Sequence, residues 1–196
     1  MTLQPGKSMG WKLNKTIVMV GMMGAGKTAI GRGLAARIEA PFLDSDAEIE
    51  AAANMSIPEI FDRDGEAFFR ARESEVLSRL LSAPEKCVLS TGGGAFLSAE
   101  NRALISEKGV SVCLSADLEL IWTRVCHKDT RPLLRTEDPY ATLSALYEAR
   151  APVYALADLT VEAREDYSIA RMVSQVLAAL LTRPDVLERT KGDPDA

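Results

Sequence analysis

The chain has 196 residues, the length of one α/β domain, and 47% of them are hydrophobic, enough for a full core. Its formal net charge of −5 excludes a basic field that would gather nucleic acid or an anionic membrane, so residues that bind phosphate must act locally. No apolar run approaches the roughly 18 residues of a membrane span. The three cysteines, Cys87, Cys113 and Cys126, lack metal-ligand spacing; Cys87 and Cys113, in apolar strand-like runs, are expected as buried thiols, which suits a reducing cytoplasm.

Residues 1–13 hold Lys7 and Lys12 but no apolar signal segment, and are expected to form a loose tail. Thr16 to Val20 is a β-branched, apolar run that predicts a buried strand over 15–20. Gly21-Met22-Met23-Gly24-Ala25-Gly26-Lys27-Thr28 follows, with the spacing G-x-x-x-x-G-K-T. Ile30, Leu34 and Ile38 then share one face of a helix over 27–39. A strand over 41–44 leads into helices over 45–52, 57–63 and 65–82. A strand over 86–90 runs into Gly92-Gly93-Gly94 and a helix over 98–107. A strand over 110–114 and a helix over 117–126 precede a polar segment, 126–138, which lacks a core pattern. The chain closes with a helix over 138–149, a strand over 158–162 and a helix over 167–181 marked by Ile169, Met172, Val173, Val176, Leu177 and Leu180. Residues 183–196, with two prolines, a glycine and many charges, read as a second tail. Strands alternating with helices predict a parallel sheet covered by helices, within one domain over 14–182.

Strand, glycine loop and helix in succession form a phosphate-binding loop. Backbone N–H groups curl around the phosphates, and the helix N-terminus adds the positive end of its dipole. Lys27 would reach the β- and γ-phosphates, and Thr28 would ligate Mg²⁺. Asp44 and Asp46, two apart, point to one side of an extended backbone at a strand's carboxyl end, where ligands sit in open α/β sheets. One suits a metal shell and one an acceptor hydroxyl; the alternative is Ser45 or Asp46 capping the next helix. The strand ending at Ser90 supplies no acid, which leaves Asp44 as the nearest carboxylate for a metal. Gly92, Gly93 and Gly94 let a backbone approach a ligand closely, or form a flexible turn. Arg70 and Glu73, three apart on a helix, can pair, either to hold a guanidinium for a substrate anion or as a solvated surface pair. The segment 126–138 reads as a mobile lid or an ordinary surface loop.

Together the motifs resemble the bacterial shikimate kinases, in the nucleoside-monophosphate-kinase-like branch of P-loop proteins. The matching parts are Gly21–Thr28, Asp44-Ser45-Asp46, Phe69-Arg70 with Glu73, Thr91-Gly92-Gly93-Gly94, Arg131-Pro132-Leu133-Leu134 and Arg150, in the family's order over residues 15 to about 165. The resemblance implies a three-layer fold with a five-stranded parallel sheet of order 2-3-1-4-5. It implies transfer of the γ-phosphate of ATP to the 3-hydroxyl of shikimate, with Mg²⁺, by a cytoplasmic monomer without nucleic-acid or membrane partners. By position, Gly24, Ala25, Gly26, Lys27, Thr28 and Ala29 would hold ATP, with Arg124 against adenine. Thr28 and Asp44 would serve the metal. Asp46 would meet the accepting hydroxyl. Arg70 and Arg150 would clamp the shikimate carboxylate, with Glu73 orienting Arg70 and Gly92, Gly93 and Gly94 lining the pocket. Lys27, Asp46 and Arg131 form the implied catalytic set, Arg131 reaching the transferring phosphate from the lid. Ala163-Arg164-Glu165-Asp166 departs from the family's basic segment, so no second adenine contact is assigned there. His127, beside the lid, is not required by this chemistry. The nearest rival is another small-molecule kinase such as a gluconate kinase. A nucleotide-dependent switch would not need Asp46 and Arg131 together.

Overall fold

The computed structural model describes residues 10–127 and 132–190. The strands are β1 (Gly10–Leu13), β2 (Thr16–Val20), β3 (Phe42–Asp44), β4 (Val88–Ser90), β5 (Gly109–Ser115), β6 (Leu159–Glu162) and β7 (Leu187–Thr190). The helices are α1 (Lys27–Arg37), α2 (Ser45–Ala53), α3 (Ile57–Leu81), α4 (Ala99–Lys108), α5 (Leu118–Val125), α6 (Pro139–Tyr154) and α7 (Ile169–Leu180), with 3₁₀ turns at Ala95–Leu97 and Pro132–Leu134. Five strands form a parallel sheet in the order β3-β4-β2-β5-β6. Numbered without β1, that is the expected 2-3-1-4-5.

Central strands covered on both faces must be apolar throughout. Every residue of β2 is buried, as are Val110 to Leu114 of β5. Helices on the two faces complete the core with Leu34, Leu77, Leu81, Ile105, Ile121, Leu143 and Val176. Because the strands are parallel, all their carboxyl ends lie along one edge. The glycine loop after β2, Asp44 at the end of β3 and the turn after Ser90 of β4 are therefore neighbours.

Three local features depart from the expected pattern. The helices expected over 57–63 and 65–82 are both present but follow each other without a loop as the two halves of α3, kinked at Gly65, where φ is 82° and ψ is 172°. Those angles belong to a region that is essentially glycine-only, so Gly65 re-aims the second half of α3, which carries Arg70 and Glu73. Helix α6 runs beyond the expected 149, through Pro152, to Tyr154. Burial of Tyr154 at 4% exposure anchors that extra turn. Residues 10–13 and 187–190, expected as loose tails, pair as an antiparallel ladder, Gly10 opposite Thr190 and Leu13 opposite Leu187. The charged surroundings mask two core residues, Val186 and Leu187, which are 0% and 1% exposed and draw the second segment onto the domain. The Asn14 N–H donates to the Val186 carbonyl at 2.8 Å, and Lys15 pairs with Asp185 at 3.0 Å.

Candidate active site

The loop between β2 and α1 keeps its glycines in backbone regions that side chains avoid, with φ of 132°, 79° and 99° at Gly21, Gly24 and Gly26. Gly26 occupies the N-cap of α1 and has no side chain to offer. The first N–H groups of the helix therefore receive no side-chain cap there, which is how a helix end serves an anion. Lys27 Nζ lies across the loop and donates to the carbonyls of Gly21 at 2.8 Å and Met22 at 3.0 Å. From α5, Arg124 extends Nη1 to within 3.4 Å of the Gly24 and Ala25 carbonyls, placing its guanidinium on the outer wall of the loop.

Thr28 Oγ1 donates to Asp44 Oδ2 at 3.1 Å and lies 3.3 Å from Ser90 Oγ. Three hard oxygen atoms from α1, β3 and β4 thus converge beside the loop. Such a donor set suits Mg²⁺, which takes one or two protein oxygens and completes its shell with phosphates and water. The cap of α2 is Asp44, not Ser45 or Asp46, because Asp44 is the last extended residue before the helix and its Oδ1 accepts the Asp46 N–H at 3.1 Å. Capping and metal-side placement coexist in this residue, one on each oxygen.

Asp46, the second residue of α2, turns towards the glycine turn after β4. Ser45, buried beside it, accepts the Gly92 N–H at 3.1 Å and fixes the spacing. A Cβ at Gly92 would stand 2.6 Å from Asp46 Oδ1 and 3.1 Å from Glu73 Oε1, so two carboxylates border the same small space. Both of those oxygens are buried and have no hydrogen-bond partner among the described residues. Burial, with Asp44 and Glu73 close by, pushes the Asp46 carboxyl up to about 6, and Lys27 pulls against the shift. Burial also raises Glu73, opposed by the Arg70 guanidinium.

Arg70 Nη1 pairs with Glu73 Oε2 at 2.8 Å, and Arg70 also meets Glu66 at 3.2 Å. Glu73 is only 2% exposed, so the Arg70–Glu73 pair is not a solvated surface contact. The guanidinium lies against Gly94, where a Cβ would stand 2.2 Å from Nη1. Arg70, Glu73, Gly94 and Arg150 line one cavity of about 520 Å³, together with Ser98 and Asn101. Of the three glycines only Gly94 lines this cavity; Gly92 lies beside it, between Asp46 and Glu73, and Gly93 and Asp46 are not part of its lining. Of the expected site residues, Arg131 lies outside the described residues, as does 128–130 of the expected lid. The distal part of that segment has more structure than its polarity suggests: Pro132–Leu134 forms a 3₁₀ turn, and Leu134 is buried. Ala29 is exposed on the first turn of α1, and His127 is exposed beside α5.

The reading from sequence passes over Ser90 as a metal-side oxygen, Glu66 as a second partner of Arg70, and Tyr154. A serine at a strand end and a glutamate four residues before an arginine were findable signals. Tyr154 had none, because its partner is a backbone carbonyl 61 residues away.

Comparisons with known proteins agree with this geometry. The shikimate kinase family model matches residues 23–181. A shikimate kinase of Ruegeria pomeroyi is 70% identical over 176 residues, covering 90% of each chain. A solved structure of shikimate kinase from Acinetobacter baumannii in complex with shikimate superposes with a TM-score of 0.78 at 38% identity, over 91% of this chain and 96% of the other. A gluconokinase from Sinorhizobium meliloti, at 18% identity and a TM-score of 0.60 over 87% of this chain and 94% of the other, shares the fold alone. The chain belongs to the shikimate kinase family.

Proposed function

We propose that this chain transfers the γ-phosphate of ATP to the 3-hydroxyl of shikimate with the help of Mg²⁺, giving shikimate 3-phosphate and ADP. The observation that carries this reading is the cavity lined by Arg70, Glu73 and Arg150, with Gly92 set between that Glu73 and the buried Asp46 Oδ1. Two guanidinium groups recognise a carboxylate, and a carboxylate acceptor recognises a hydroxyl. An acceptor that carries both groups matches the shikimate bound in the Acinetobacter baumannii kinase.

Phosphoryl transfer needs positioning and charge stabilisation more than covalent help. In this reading the α1 N-terminus and loop N–H groups hold the phosphates, and Lys27 leaves its loop carbonyls for the β- and γ-oxygens. Thr28 and Asp44, with Ser90 behind them, would hold Mg²⁺, which when bound supplies positive charge between the phosphates. Arg70, held by Glu73 and Glu66, and Arg150 fix the acceptor's carboxylate. That leaves its hydroxyl at Asp46, which orients it and takes its proton. Arg124 shields the outer side of the loop near the base. Arg131 would bring further positive charge to the transferring phosphate if 126–138 acts as a lid.

A coupled ADP-release assay with shikimate, gluconate and nucleoside monophosphates, with and without Mg²⁺, tests the proposal. Expected is Mg²⁺-dependent turnover with shikimate and little with the others. Equal turnover across the panel would overturn the specificity.

A further inference from the structure

Resting on that reading, we infer that Tyr154 is a positioning residue for the acceptor site, acting through the backbone of the glycine turn. The carbonyls from Gly92 to Leu97 each have a partner. Gly92 accepts from Ala95 N–H at 3.3 Å and Gly94 from Leu97 N–H at 3.0 Å, both inside the turn. Ala95 accepts from Asn101 at 2.9 Å, while Phe96 and Leu97 accept from Arg102 at 2.9 and 2.8 Å, all from α4. Gly93 accepts from the Tyr154 hydroxyl, among the described residues the only bond in this run that comes from α6.

The geometry of that bond explains what it governs. A trans peptide is planar, with its carbonyl and N–H on opposite sides. Fixing the Gly93 carbonyl towards Tyr154 turns the Gly94 N–H the other way, away from α6's tyrosine. Gly94 is the residue that packs beneath the Arg70 guanidinium and lines the cavity. Tyr154 also stands one helical turn after Arg150 on α6, so one helix face carries both the second guanidinium and the anchor of the turn. The bond therefore sets the distance between the two walls of the acceptor pocket. The tyrosine is itself held rigid, 4% exposed and stacked on Phe96 with ring centroids 6.4 Å apart. Burial pushes its hydroxyl up to about 12, against the pull of Arg150, so it stays a proton donor through the working pH range.

Tyr154→Phe tests this, because it keeps the ring and its stacking while deleting the donor. In steady-state assays of the full chain, the KM for shikimate should rise about tenfold, with the KM for ATP within twofold of wild type, as expected for a lost bond to a buried carbonyl. Amide exchange of Gly94 in the ligand-free variant should be faster than in wild type, while exchange in β2 is unchanged. A variant with the wild-type shikimate KM, or one whose two KM values rise together, would overturn the assignment of Tyr154 while leaving the kinase reading intact. A wild-type chain with no shikimate-dependent ADP release would overturn the kinase reading, and this inference with it.

Discussion

Asp46 joins two demands that oppose each other. Its carboxyl is pushed from the ordinary value of 3.8 up to about 6 by burial and by Asp44, Glu73 and Glu50, with Lys27 opposing. A raised carboxyl binds its proton more tightly in the folded than in the unfolded chain. Its contribution to stability is thus fully present below pH 3.8 and is lost as pH rises through about 6. Asp46→Asn should therefore raise the Tm at pH 7.5, by a stability gain on the order of 2 kcal/mol, and the gain should vanish near pH 4. The wild type should show an acid limb near pH 6 in kcat/KM for shikimate, and the same variant should lose that limb along with most of its rate. A pair of melting and pH–rate series checks both signs. Arg70 makes a second case. Arg70→Ala leaves Glu73 buried without its guanidinium, so it should both weaken shikimate binding and cost about 3 kcal/mol of stability or more. Adding Glu73→Gln should restore the Tm but not the shikimate KM. Lys27→Ala should abolish turnover with the Tm nearly unchanged, since Lys27 contributes charge to the loop and not to the core.

Among the elements, α3 shows how one residue aims a whole segment. A capping box at Ser56 and Glu59 starts it, and Gly65 bends it before the turn that carries Arg70 and Glu73. A Cβ at Gly65 would meet no atom within 4 Å, so the obstacle to replacement is the backbone angle alone. Gly65→Ala should cost about 1–3 kcal/mol. It should raise the KM for shikimate while leaving the KM for ATP near wild type, because α1 and its loop do not depend on this bend. Thermal melts and the two KM values measure this together. The sequence predicts two helices here, over 57–63 and 65–82, and the folded backbone shows that they join at Gly65 without a loop.

At the scale of the molecule, the two chain segments farthest apart in sequence meet in the β1–β7 ladder. It leads directly into the amino end of β2, while the candidate site lies at the carboxyl edge of the sheet. Arg189 stacks over Trp11 at 5.3 Å, and Leu187 is buried in the core. Leu187→Ala should cost about 2–5 kcal/mol without altering either KM. Separate readings of stability and activity would show the ladder to be a staple with no part in the chemistry.

The parts written in local pattern were legible before the fold was seen. The glycine loop is a run of eight residues, and the strands of the sheet are apolar because both of their faces are covered. The Arg70–Glu73 pair is a matter of helical spacing, and the sheet order came with the family resemblance. Other features depend on residues brought together from distant parts of the chain. Whether Glu73 is solvated or sealed depends on what packs over α3. Whether Thr28, Asp44 and Ser90 converge depends on the register of β3 against β4 and on how α1 packs beside them. The bond from Tyr154 to Gly93 and the pairing of residues 10–13 with 187–190 have no local signature, because their energy comes from burial and from partners that meet only in the folded chain.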